Sequence, residues 1–589
     1  METAVTSRRP AFLCALILLV GILAAHPIAE IGMIDDWSYV QSTRILALTG
    51  HIVYNGWAAP ILGWQLFLGA LFAKLFGPSF TAIRASTLCI ALFTAFLTQR
   101  TLVRAGVNSR NATIGTLVLI LSPLSLPFAF NFMTEIDSLF CIILCLYACL
   151  RALQAQSNRA ILAWLAFAAL TNAAGGTVRQ NVWLGVLIIF PGTVWLLRRR
   201  PRVLLTGALL YAVSAVLIYA TLHWFAQQPY SVPERLFEGI PNREHLTHVA
   251  FEFLSLFLSF SLFLLPVLIA FVPVTSLSNR RTAAVLAAGG AFCIASAIFL
   301  VAAHPHRIAS LIAPFRGNCV TEYGLLNIFP IKGQGPGTLG TGPRILITIV
   351  VMLTLLCFFA FMLTGSRPDR QPDRLAQTPL PNSPPISFQN LLVLLGPFTL
   401  AYIALLIPRG LRGDVFDRYC LFLLPIALIF LLRIHQERVR PNLPLVSTVF
   451  VTLFAIYAVA GTHDAFSLSR AKAAAISELR ATGIPDTAID AGFEHNGMAQ
   501  IQKYGTINDP NVHMPAAEYI AHSPVFPTDC QPDHPNWTPA IVPGYALSYN
   551  PSACGGLSRF APVTFHEWLA AATVRIYIVN TSIPASAVR

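Results

Sequence analysis

Four short segments carry most of the side chains that could do chemistry in this chain, and each lies beside an apolar run. The first, MIDDWSYV, sets Asp35 and Asp36 side by side; the second, NFMTEIDSLF, holds Glu135 and Asp137 at a helix start. The third, GGTVRQNVW, holds Arg179 and Gln180, and the fourth, GDVFDRYCLF, holds Arg418 and Tyr419. A further cation, Arg307, follows His304 and His306 in AHPHRIAS. A carboxylate can take the proton of an attacking hydroxyl, and guanidiniums stabilise the charge that develops on a leaving phosphate. Carboxylates and several arginines on one surface therefore suit a substrate pair made of a hydroxyl and a phosphate ester.

Each segment also has a plainer reading. Asp35 and Asp36, with Trp37 and Tyr39, can form a polar membrane interface with an aromatic belt. Residues 37–48 can lie along that interface as a helix with Trp37, Val40, Ile45 and Leu48 towards lipid. Glu135 suits the positive end of a helix dipole and Thr134 can cap it, although two acids at a membrane edge exceed what a cap requires. A lone Arg179 can snorkel, and Gly175 and Gly176 beside it permit close backbone approach to a ligand.

The elements that must position these groups follow from composition. Of 589 residues, 55% are hydrophobic and 11% charged, with mean hydropathy +0.65; soluble domains carry roughly 25% charged residues. A soluble enzyme, a disordered chain and a disulfide scaffold are excluded, leaving a polytopic α-helical membrane protein. About thirteen apolar runs are near helix-spanning length: 11–29, 79–98, 112–128, 136–151, 160–173, 181–197, 203–225, 253–273, 283–302, 345–364, 389–407, 419–434 and 444–461. The run at 61–76, which carries Lys74, is expected to be an interfacial helix. Arg8 and Arg9 precede the first run, which sets the N-terminus in the cytoplasm. Alternate loops after it are short and Arg-rich, as the positive-inside rule requires. This register places twelve of the sixteen acids of residues 1–461 on the outer side and none at a midplane. An ion-coupled transporter, which keeps ionisable groups near mid-membrane, is disfavoured.

The chain divides near residue 461. Residues 1–461 hold 32 Lys+Arg and 16 Asp+Glu, whereas 462–589 hold 7 and 10. An odd number of spans puts this second, polar part outside the cytoplasm, where Cys530 and Cys554 are a candidate disulfide. A helix-like stretch over 471–483, a strand-like AIDAGFE and a final strand-like VRIYIVN read as a small α/β or mixed domain. The Pro-rich stretch 365–388 is a linker. There is no nucleotide-binding glycine loop and no zinc spacing, and no nucleic-acid partner is expected.

The order Asp35-Asp36-Trp37-Ser38-Tyr39, Met133-Thr134-Glu135, Arg179-Gln180 and Asp417-Arg418-Tyr419 resembles the GT-C superfamily of membrane glycosyltransferases. Within it, the pattern is most similar to the branch holding the protein O-mannosyltransferases and the lipid A aminoarabinose transferase. The resemblance implies transfer of a sugar from a polyprenyl-phosphate carrier to an acceptor hydroxyl of a lipid, glycan or protein, at the outer leaflet of a bacterial-type inner membrane. It implies that the catalytic acid of the first outer loop is Asp35 or Asp36, with Asp35 preferred as the general base and Asp36 beside it, and that Glu135 stands where many relatives have Asp. Arg179 and Arg418 would hold the phosphate, with Arg307, Gln180 and Tyr419 as further substrate contacts; Asp137 has no counterpart in the family and is a substrate-contact candidate by its position beside Glu135. Some members use a divalent metal and others do not, and the sequence does not decide between them. A polyprenyl-linked glycan flippase and an O-antigen-ligase-like enzyme are the competing readings.

Overall fold

A computed structural model describes residues 7–232, 243–274, 279–303, 310–315, 317–327, 331–364, 386–514, 518–521, 526 and 530–581. Arg307, His304 and His306 lie outside the described residues, as does most of the 365–388 linker.

The chain is predominantly helical, and each of the thirteen apolar runs falls on a helical segment. In order these are α1 (Arg9–Ala25), α2 (Asp36–Thr49), α3 (Gly63–Phe76), α4 (Phe80–Arg104), α5 (Ser109–Ile120), α6 (Thr134–Gln154), α7 (Asn158–Gly176), the composite α8 (Gln180–Leu196), α9 (Pro201–Ala226), α10 (Arg243–Phe263), α11 (Arg280–Ala303), α12 (Thr341–Thr364), α13 (Phe388–Arg412), α14 (Leu424–Arg438), α15 (Leu445–Ala481) and α16 (Phe493–Tyr504). Among the described residues eight of them, α4, α6, α9 to α13 and α15, are long and apolar enough to cross a bilayer. The other expected spans are shorter or broken. In α8 a 3-10 turn gives way to a π segment and then to α-helix. The buried Asn172 side chain causes part of this irregularity, because its Oδ1 accepts the Val186 N–H at 2.7 Å.

The run at 61–76 forms α3, which buries Gln65, Leu66, Ala70 and Ala73 and exposes Phe67, Leu71, Leu75 and Phe76. Helix α2 departs from the expected lipid-facing orientation. Leu48 is exposed, but Trp37 and Val40 are fully buried within protein. Trp37 packs edge-on against Phe493 of α16, with ring centroids 5.9 Å apart. The polar C-terminal domain covers this helix, so its apolar side meets protein.

Helix α15 runs unbroken through residues 461 and 462, so the last span and the first polar helix are one 37-residue rod. The sheet region follows it. Strands β3 (Ile489–Asp490), β4 (Tyr545–Ser548), β5 (Val563–Glu567) and β6 (Ala572–Asn580) come after the small hairpin of β1 (Val320–Thr321) and β2 (Gly324–Leu325). The four-stranded sheet has the order β3, β4, β6, β5, with β3 parallel to β4 and the other pairs antiparallel. VRIYIVN lies in β6 as expected. AIDAGFE yields only the short β3, because Gly492 adopts φ 89° and turns the chain into α16. Cys530 and Cys554 are bonded to each other.

His495 on α16 is buried, and burial pushes its imidazole down to about 4. An unfolded chain therefore binds a proton there between pH 6.5 and about 4 that the folded chain does not, so stability falls as pH drops through that window. The loss reaches about 3 kcal/mol when the window is crossed. His495→Gln is expected to remove this part of the acid sensitivity, read as a flatter dependence of the thermal midpoint on pH.

Candidate active site

The segment after α1 must turn sharply to present Asp35. Ile34 takes a left-handed φ of 57°, which is costly for a β-branched residue, of order 1–3 kcal/mol. Three contacts hold the turn. The Met33 N–H donates to Asp36 Oδ1 at 2.7 Å, and the Ile34 N–H donates to Glu494 Oε1 of α16 at 3.2 Å. Asp36 also pairs with Arg84 of α4 at 2.7 Å, both side chains being fully buried. Arg84 then donates to the Ala29 and Ile31 carbonyls at 2.9 and 2.8 Å. The sequence puts Asp36 beside Asp35 in the chemistry; the structure turns its carboxylate inward as the anchor of the loop.

Asp35 points the other way. Its Oδ1 accepts the Trp57 indole N–H at 3.0 Å, and its Oδ2 meets Arg418 Nη1 at 3.2 Å. Arg418 extends its Nε to within 3.6 Å of Glu135 Oε1, and the same oxygen accepts Arg179 Nη1 at 2.7 Å. Four charges from four distant segments thus form one chain: Asp35, Arg418, Glu135, Arg179. Glu135 is buried, whereas the Asp35, Arg418 and Arg179 side chains keep 14%, 11% and 16% of their exposure. The cluster is therefore open on the side of Asp35 and the two guanidiniums and closed behind Glu135. Aromatic rings flank the cations, with Arg179 Cζ 5.4 Å from the Tyr419 ring and Arg418 Cζ 5.0 Å from the Phe416 ring.

The remaining candidates divide. Tyr419 is in the cluster through Arg179. Gln180 donates to the Ala59 carbonyl at 3.0 Å and braces the Trp57 loop. Asp137 is buried one residue beyond Ile136, and its Oδ2 has no hydrogen-bond partner; no ion pair joins it to the four charges. Thr134 does not cap α6; its hydroxyl lies 3.4 Å from Arg179 Nη1. Gly175 and Gly176 serve close packing: a Cβ at Gly176 would stand 2.0 Å from the Trp183 ring, and one at Gly175 would stand 2.5 Å from Cys141. Asp417, next to Arg418, is buried and accepts the Cys319 and Val320 N–H groups at 3.0 and 2.8 Å, fixing the turn that presents Arg418.

Three contributors escaped the sequence reading. Trp57 holds Asp35 from a loop whose only signal is YNGW. Tyr39, one turn into α2, is buried within the field of all four charges, and burial with Asp35 and Glu135 pushes its phenol well up, so it stays neutral. Glu494 reaches Ile34 from 460 residues away and is itself held by Lys472 at 2.6 Å. A separate group, His248 and Glu252 one turn apart on α10 with Asp414, brings its ligand atoms within 4.8 Å of one another. At the cluster, each carboxylate already faces a guanidinium, a donor set that suits a phosphate better than a metal ion.

No family model and no curated protein matches the sequence. Among solved structures the chain is similar to ArnT from Cupriavidus metallidurans in the apo state, with a TM-score of 0.37 and 13% identity, covering 82% of each chain. The undecaprenyl-phosphate-bound form of that protein gives 0.37 and 12%, covering 82% of this chain and 83% of the other. The archaeal oligosaccharyltransferase AglB from Archaeoglobus fulgidus, in complex with an inhibitory peptide and a dolichol-phosphate, gives 0.38 and 15%, covering 89% of this chain and 63% of the other.

Removing one partner of the buried Asp36–Arg84 pair leaves an uncompensated charge, which costs about 3–5 kcal/mol. Asp36→Ala is expected to lower the thermal midpoint of the detergent-purified protein sharply, whereas Asp35→Asn leaves it nearly unchanged. Glu494→Ala leaves the Ile34 N–H without its acceptor and the buried Lys472 without its carboxylate, which costs stability as well as the hold on the Asp35 turn. This variant is expected to insert into membranes with a lowered thermal midpoint, read on the detergent-purified protein.

Proposed function

We propose that this chain is a membrane glycosyltransferase that moves a sugar from a polyprenyl-phosphate carrier to an acceptor hydroxyl, with Asp35 as general base. The observation that carries this reading is the chain of alternating charges in which Arg418 joins Asp35 to Glu135 and Arg179 closes on Glu135. It supplies a base and a pair of phosphate-binding cations within one partly open cluster.

In this reading the donor phosphate draws Arg418 and Arg179 towards itself. Bidentate guanidinium contacts suit phosphate oxygens, and Glu135 keeps both cations aimed from the buried side. Freed from Arg418, the Asp35 carboxylate takes the proton of the acceptor hydroxyl as that oxygen attacks the anomeric carbon. The bond from the anomeric carbon to the phosphate oxygen breaks, its electron pair leaves with the carrier phosphate, and the configuration inverts. Trp57 keeps Asp35 in the required rotamer, and Tyr39 stays protonated beside it. Charge sidedness supports an outer-leaflet position for Asp35: the loops on the opposite side are rich in arginine, as the positive-inside rule expects of a cytoplasmic face. The acceptor is a lipid, glycan or protein bearing a free hydroxyl.

General-base removal typically costs 10²–10⁴-fold in rate. Asp35→Asn is expected to reduce release of free polyprenyl phosphate from isolated membranes by about that factor, with unchanged expression and thermal midpoint. Full activity in this variant would refute Asp35 as the base.

A further inference from the structure

The end of the helical bundle opposite the charge cluster carries a second site of different chemistry. Helix α1 runs from this end towards the Asp35 loop, and a cleft of about 1180 Å³ opens beside its first turns. Its walls are Phe12, Leu13 and Leu16 of α1 and Ile114 of α5, and its rim holds Arg9 and Arg110 with Ser109, Thr113 and Thr448. Arg9 and Arg110 are exposed, and neither guanidinium has a partner among the described residues. Among those residues no carboxylate lines the cleft.

Three features fix the occupant. The volume exceeds the roughly 300–1,000 Å³ of ordinary small-molecule pockets, so something longer than a headgroup fits. Phe12, Leu13 and Leu16 are about half exposed or more, and in a bilayer they face acyl chains, so the cleft opens to lipid along its length. The charged groups of the rim, among the described residues, are the cations Arg9 and Arg110, and α1, α5 and α15 all begin within four residues of it. Each helix start adds partial positive charge to the two guanidiniums.

We propose that this cleft binds one anionic glycerophospholipid from the bilayer, its phosphate between Arg9 and Arg110 and an acyl chain along Phe12, Leu13, Leu16 and Ile114. The site lies at the far end of α1 from Asp35 and is independent of the reading of the charge cluster. A lipid bound there joins α1, α5 and α15 at one end of the bundle.

Native mass spectrometry of the full chain in mild detergent, with phosphatidylglycerol or phosphatidylcholine of the same acyl chains added, tests this. The expected result is one phosphatidylglycerol retained in preference to phosphatidylcholine. Arg110→Gln is expected to weaken retention roughly five-fold, the contribution of one basic side chain near an anionic lipid surface, while Arg110→Lys retains it. Arg110 is exposed, so neither variant disturbs packing. Ile114→Trp, which fills the groove and leaves both cations in place, is expected to reduce retention as well. Equal binding of the two lipids, no effect of Arg110→Gln, or a co-purified polyprenyl phosphate as the lipid displaced by Arg110→Gln would each overturn the proposal.

Discussion

Arg418 is the contact on which the site depends. Two carboxylates cannot stand close together at the edge of an apolar bundle without countercharge, since an isolated buried charge costs several kcal/mol. Arg418 meets both, Asp35 at 3.2 Å and Glu135 at 3.6 Å, and Arg179 completes the balance on Glu135. The arrangement has a further consequence. Under the proposed function, the cations that neutralise the acids at rest are the groups that a donor phosphate would attract, so donor binding would also free Asp35. Asp417 supports this by holding the Arg418 turn to the β1 strand.

The C-terminal region packs onto the same loop. Its Glu494 accepts the N–H of the left-handed Ile34, and its Phe493 and Trp537 pack on Trp57, with ring centroids 4.8 and 5.3 Å away. The Ile507 N–H donates to the Asn55 carbonyl at 2.9 Å in the same loop. Asp35 is thus held from below by the Asp36–Arg84 pair and from above by a domain more than 450 residues later in the chain.

Much of this is legible in the sequence, for a physical reason. In a chain with 11% charged residues, each charge beside an apolar run is conspicuous, and Asp35, Glu135, Arg179 and Arg418 are found by type and position alone. The helical runs are equally plain, as are Cys530 and Cys554. Three things are not. Asp35 and Asp36 are adjacent, and only the turn at Ile34 and the burial of Arg84 decide which faces the opening. Trp37 and Val40 look lipid-facing because an apolar helix face cannot say whether lipid or a later domain covers it. Glu494 carries no local signal, because its role exists only once the tail has folded back onto the first loop.

The proposed mechanism requires Asp35 and Arg418 to act as one coupled unit. A double-mutant cycle on the rate of polyprenyl phosphate release, with Asp35→Asn, Arg418→Gln and the two combined, measures that coupling directly. Strong non-additivity is expected, with the double variant about as active as the weaker single variant. Losses that simply multiply, as for two independent residues, would contradict it.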